Sequence, residues 1–143
     1  MRGFRTEIPI NASQERVWSV LSDFGQYPSW NPFIRKISGR IGVNEKLHIS
    51  VKLSFFPPVS FEAFVDLLAP GERVGWNAVL FPGLLTARHW FELFKIDSCT
   101  TLLIHSEEFS GMFSGPVLAI LSRAFNKGYA SMNLALKKQS ERS

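Results

Sequence analysis

One cysteine, Cys99, is too few for an intrachain disulfide or a cysteine-based zinc site. Tyrosine is also scarce, with two residues against thirteen Phe and four Trp. The longest apolar run, residues 117–121, is far short of a membrane span. Residues 1–10 alternate charged and apolar side chains without a continuous apolar core, so they are not read as a signal peptide. These deficits together predict a soluble protein of a reducing cytoplasm. Clustered charge is missing too: the net charge is +4, yet the basic residues run from Arg2 to Arg142, and the only doublets are Arg35-Lys36 and Lys137-Lys138. Without a basic stripe, nucleic acid is not an expected partner. A mild preference for anionic ligands, or at most transient contact with a membrane surface, fits the charge better. The chain contains no G-x-S-x-G elbow, P-loop, dinucleotide fingerprint or H-E-x-x-H. His48, His89 and His105 are far apart in sequence, so neither a metal nor a cofactor is called for.

What is present is a chain of 143 residues, 45% of them hydrophobic. That length suits a single domain over residues 1–143, able to bury roughly 70% of its unfolded surface without a staple. Aromatic rings without hydroxyls favour a dry interior, because they bring no polar atom that needs a partner. A Phe-rich core and a ring-lined ligand cavity are both consistent with this composition.

Along the chain, residues 2–10 read as a strand with Phe4, Ile8 and Ile10 on one face. Ser13 is a natural N-cap for a helix carrying Val17, Trp18, Val20, Leu21 and Phe24, with Gly25 as its stop. Pro28 and Pro32 flank a short aromatic segment at 27–33. Strands are then predicted at 33–40, 46–53, 61–68, 73–80, 85–96 and 100–109, each bounded by turn residues such as Pro70-Gly71 and Asp97-Ser98. Connections this short dictate an antiparallel meander. A long helix follows from Ser114 and Pro116, with an apolar stripe at Leu118, Leu121, Phe125, Gly128, Met132 and Leu136. Arg123, Asn126, Lys127, Asn133 and Lys137 are expected mostly toward solvent. The predicted architecture is α+β: a curved antiparallel sheet of about seven strands wrapped around a long C-terminal helix, with one or two short helices after the first strand.

This order of elements resembles the helix-grip fold of the START/Bet v 1-like superfamily, and more specifically its polyketide cyclase/dehydrase and lipid-transport branch. The likeness is carried by I-N-A-S-Q-E-R-V-W-S-V-L-S-D-F-G-Q-Y-P-S-W-N-P-F-I at 10–34, by His89-Trp90-Phe91-Glu92-Leu93 with Glu107-Glu108-Phe109-Ser110-Gly111, and by the helix end at 132–137. The V-W-x-V-L-x-D-F-x-x-Y-P-x-W-N-P pattern is the most specific of these. The resemblance implies the fold and a cavity whose end is closed by the segment carrying Trp30-Asn31-Pro32. It implies function less narrowly, since the superfamily holds carriers, hormone receptors, cyclases, coenzyme-Q-binding proteins and stress-response regulators.

Candidate cavity residues are Trp30, Phe33, Phe61, Trp76, His89, Phe91, Gly128 and Met132. Trp30 either plugs the core or contacts a ligand, the plug being the favoured reading. His89 and Phe91 share strand parity with Leu85 and Leu93 and are expected inside, where His89 is a satisfied core histidine or orients a ligand. Gly128 leaves room for a ligand or for a large neighbour such as Phe91. His105 and Glu107 alternate with Leu103 and Phe109, but Glu108 gives the opposite face an acid as well. Parity does not decide between them, and the outward, solvated placement is the expectation. Placed inside, the two would form an acid/base pair. The apolar loops at 55–58 and 81–85 either fold back on the core or gate a cavity mouth. The expected function is binding or carriage of a lipid, isoprenoid or polyketide-like molecule in an internal cavity. The alternative is a cyclase, dehydratase or hydrolase acting there through His105 or Glu107.

Overall fold

In a computed structural model, residues 2–53 and 56–142 are described. Phe55 therefore lies outside the described residues, as does the side chain of Phe81. Strand β1 (Arg2–Ile10) leads into α1 (Gln14–Leu21), where the Ser13 hydroxyl accepts from the Arg16 amide and caps the helix. The helix ends at Leu21, short of Gly25. That glycine lies within a 3-10 turn at Phe24–Gln26, which runs into the short α2 (Tyr27–Trp30). The Tyr27 hydroxyl donates to the Leu21 carbonyl at 2.5 Å, occupying an acceptor that the ended helix leaves free.

Six strands follow: β2 (Ile34–Ser38), β3 (Lys46–Val51), β4 (Val59–Ala69), β5 (Arg73–Phe81), β6 (Leu85–Asp97) and β7 (Thr100–Ser110). With β1 they form one antiparallel sheet in the order β1-β7-β6-β5-β4-β3-β2. Every pair but β1–β7 joins consecutive strands, as the short turns require. Register shifts between Ile34 and Lys36, Val65 and Leu67, Val79 and Phe81, and Lys95 and Asp97 add local twist and curl the sheet.

The concave face is read directly from strand parity. Leu85, Ala87, His89, Phe91 and Leu93 alternate inward along β6, as Val74, Trp76 and Ala78 do on β5. The long helix α3 (Ser114–Glu141) packs mainly against β1, β7 and α1. Arg16 of α1 fixes its far end by donating to the carbonyls of Gln139 and Ser140 at 3.1 and 3.2 Å. These cationic bonds satisfy carbonyls at the negative end of the helix dipole. Because α3 leans on the β1–β7 side, the concave face of β3–β6 opposite its first half is not fully covered. A gap remains there.

The β4–β5 ladder runs from Ala69↔Arg73 to Phe64↔Asn77 and goes no further, so residues 59–63 and 78–81 are not paired across it. The sheet has a local slit at that end. It is the same end that carries the half-exposed Phe56, Val59 and Val79.

Candidate functional site

The gap under α3 is a cavity of about 260 Å³. Its walls are aliphatic and aromatic: Ile34, Ile49 and Leu53 on one side, Leu85, Ala87 and Phe109 on another, and Val117, Leu121 and Phe125 from α3. Among the candidate cavity residues, Phe33, Phe61, Trp76 and His89 line it, and Glu107 joins them. Among the described residues only two ionisable side chains, His89 and Glu107, reach its wall. Phe61 and Leu80, with Ile49 and Val59, also belong to an outer groove of about 720 Å³ bordered by Lys36, His48 and Glu62. The cavity therefore adjoins the surface at the β4–β5 slit.

The remaining candidates sit elsewhere. Trp30 is half-buried with its ring edge-on to Tyr27, 5.0 Å between centroids, so it packs on the core beside α2. Asn31 shapes the turn after it: its Oδ1 accepts from the Phe33 and Ile34 amides, both at 2.9 Å. Phe91 is fully buried behind the cavity wall, between Trp76 and His105. Met132 is fully buried further along α3. Gly128 makes room for Phe33 instead of Phe91 or a ligand, because a Cβ there would stand 2.5 Å from the Phe33 ring.

His105 and Glu107 point inward, not outward. Residue exposure is 1% at His105, 8% at Glu107, 5% at His89 and 4% at Asn133. The β6–β7 register sets His89 opposite Glu107 and Phe91 opposite His105, so one concave patch receives both histidines and the acid. The reason lies in the partners. Strand β1 pairs along the edge of β7, and α3 lies across both, bringing Asn133 and Tyr129 to the inner face and supplying hydrogen bonds that make burial tolerable. Asn133 is buried, in contrast to the solvent placement that its position off the apolar stripe predicts. It follows Met132 on the buried stripe, and Tyr129, the turn before, is buried too. The i, i+4 spacing of Tyr129 and Asn133 beside the apolar stripe is legible in the sequence, but their pairing with Glu107 and His105 on β7 is not.

The result is a polar relay through an apolar core, hydrogen-bonded in two parts that face each other at His89 and Glu107. Thr6 Oγ1 donates to the His105 carbonyl at 3.0 Å, and Asn133 Nδ2 donates to Thr6 Oγ1 at 2.8 Å. Asn133 Oδ1 lies 2.7 Å from His105 Nδ1, and His105 Nε2 lies 2.5 Å from His89 Nε2. The two imidazoles are nearly parallel, with 10° between their planes. Tyr129 donates its hydroxyl proton to Glu107 Oε1, while Glu107 Oε2 stands 3.8 Å from His89 Nδ1.

Burial sets the charges. It pushes the Glu107 carboxyl up to about 8 and holds His105 down to about 4. His89 falls well below the ordinary imidazole range through burial, and further through its neighbour His105. At neutral pH the site is a neutral acid beside two neutral imidazoles, so the 3.8 Å approach of His89 and Glu107 is not an ion pair. Such an arrangement can hold and relay a proton without exposing a charge to the cavity. Among the described residues no three metal-ligating side chains converge. His48 lies on the outer face of β3, away from the other two histidines.

A family model described as polyketide cyclase / dehydrase and lipid transport matches residues 1–141. The chain belongs to that family. Solved structures of similar fold include the Zhui aromatase/cyclase from Streptomyces sp. R1128, with a TM-score of 0.82 at 15% identity, covering 99% of this chain and 94% of that one. A START superfamily protein from Mycobacterium smegmatis superposes with a TM-score of 0.73 at 21% identity, over 97% of both chains. Norcoclaurine synthase from Thalictrum flavum, in complex with dopamine and hydroxybenzaldehyde, gives 0.72 at 15% identity, over 99% of this chain and 88% of that one. At these identities the likeness is one of fold, which is the helix-grip fold that the family shares. A comparison with curated proteins yields no sequence match. Among the described residues no helix is long and apolar enough to cross a membrane.

Proposed function

We propose that the protein binds a small hydrophobic molecule in the cavity under α3, with the polar end of that molecule set against His89 and Glu107. The observation that carries this reading is an apolar cavity in which the only ionisable side chains among the described residues are grouped at one place. The volume narrows the class. About 260 Å³ suits one or two rings better than a long acyl chain, since a dry cavity of roughly 150 Å³ already admits benzene. Of lipid, isoprenoid and polyketide-like ligands, compact cyclic compounds fit best. Burial of apolar area supplies affinity at about 25 cal/mol per Å², and the polar end supplies orientation. The free, exposed Cys99 agrees with use in a reducing, cytoplasmic setting. Titration calorimetry with naphthalene is expected to give saturable one-to-one binding, abolished in a folded Leu121→Trp variant whose indole occupies the cavity. Undiminished binding by that variant sinks the assignment.

The relay supports a second reading, acid/base chemistry on the bound molecule. The aromatase/cyclase and the synthase among the similar folds are consistent with it. Here Glu107 gives a proton to a ligand carbonyl oxygen while His89 Nδ1 takes one from the adjoining carbon, as in enolisation before a cyclisation or dehydration. In D₂O the protein should then accelerate deuterium uptake at the α-carbons of 2-tetralone, and Glu107→Gln should slow that uptake at least ~10²-fold. Equal uptake with and without protein removes the catalytic reading and leaves the binding one.

A further inference from the structure

The hydrogen-bond chain behind the cavity has a direction, and the main chain fixes it. Thr6 spends its only hydroxyl proton on the His105 carbonyl, so toward Asn133 it can act only as an acceptor. Asn133 must therefore present its Nδ2 to Thr6 and its Oδ1 to His105. An acceptor facing His105 Nδ1 demands a proton on that nitrogen, leaving a lone pair on Nε2. The group within reach of that lone pair is His89 Nε2, which must then carry the proton. His89 Nδ1 is consequently an unprotonated acceptor. It receives no hydrogen bond from a described residue, and the carboxyl at 3.8 Å is too distant to fill it. Beside it, Glu107 accepts a hydrogen bond from the Tyr129 hydroxyl at Oε1, leaving Oε2 without a partner among the described residues. A buried carboxyl without a cationic partner is held neutral, so it offers a proton of its own.

A lone pair and an acid proton thus stand side by side at the cavity wall. We infer that the polar end of the cavity recognises a neutral group that accepts one hydrogen bond and donates another: a hydroxyl, or a carbonyl with an adjoining N–H or enol O–H. We further assign Thr6 and Asn133, which do not line the cavity, as positioning residues that set this polarity. The inference rests on the reading of the cavity as a binding site. An anionic ligand is disfavoured, since no cation among the described residues lines the wall. An ether or simple ketone leaves the His89 lone pair buried and unpaired, at the cost of a lost hydrogen bond.

Two measurements test it. Long-range ¹⁵N–¹H correlation spectra of the intact protein near neutral pH should show His105 protonated at Nδ1 and His89 protonated at Nε2 only. A proton on His89 Nδ1 overturns the inference. Calorimetry with 2-naphthol, 2-methoxynaphthalene and naphthalene then reads the preference. 2-Naphthol should bind about tenfold more tightly than its methyl ether, the fold-change expected for one hydrogen bond. In Thr6→Val, where the Asn133 amide is free to turn over, that ratio should fall to about threefold or less, with naphthalene as the reference for cavity integrity. Equal affinity for the naphthol and its ether in the natural protein overturns the inference alone. Failure of all three probes to bind overturns the cavity reading, and the inference with it.

Discussion

Glu107 illustrates how much a single position can depend on what is packed over it. In the sequence it is one of two adjacent acids on an alternating strand, and nothing local separates it from Glu108. In the fold it is buried, bonded to Tyr129, and its carboxyl is pushed from 4.5 up to about 8. The unfolded chain releases this proton near pH 4.5 while the folded chain retains it until about 8. Stability therefore falls as pH rises through that window and levels off above it. The histidines act in the opposite sense on the acid side: unfolded imidazoles take up protons below 6.5, whereas buried His105 resists until about 4. Stability is thus expected to be greatest near pH 6.5. Glu107→Gln keeps an acceptor for Tyr129 and cannot ionise. Urea denaturation at about pH 6.5 and about pH 9 should show a loss for the natural protein and none for this variant. A parallel loss in both would mean that Glu107 is not the group responsible.

Between elements, the decisive contact joins α3 to the segment after α2. Gly128 lies against the Phe33 ring, and Phe33 in turn forms cavity wall on its other side. In an ordinary helix interior, replacing Gly with Ala gains about 1 kcal/mol. Here the added carbon would stand 2.5 Å from Phe33 Cδ1 and 2.8 Å from Cε1, so the ring or the helix must move. Gly128→Ala should therefore destabilise, by about 1–2 kcal/mol, the overpacking cost outweighing the helix gain. Adding Phe33→Leu should recover part of that loss, and the double variant should bind naphthalene with altered affinity because the wall has changed. Denaturation midpoints of the three variants check this. Additive effects of the two substitutions would show that the contact does not matter. The helix stripe in the sequence marks Gly128 correctly as inward, but it does not reveal which neighbour occupies the space.

For the whole molecule, the sequence by itself determined the element order, the meander and the inward parity of β5 and β6. These follow from local rules: turn residues terminate strands, alternation assigns faces, and short connections force antiparallel neighbours. The resemblance at 10–34 and along the other two stretches likewise named the fold to which the chain belongs. The tertiary structure alone decided where α3 lies across the sheet, and hence that a gap of about 260 Å³ stays open beneath its first half. It also decided the inward turn of His105 and Glu107. Both are settled by Thr6, Tyr129 and Asn133, which come from β1 and α3 at the two ends of the chain. A strand's parity says which side chains share a face. Only the elements that close over each face fix which one is dry, because a buried polar group persists where partners for it have been brought from elsewhere.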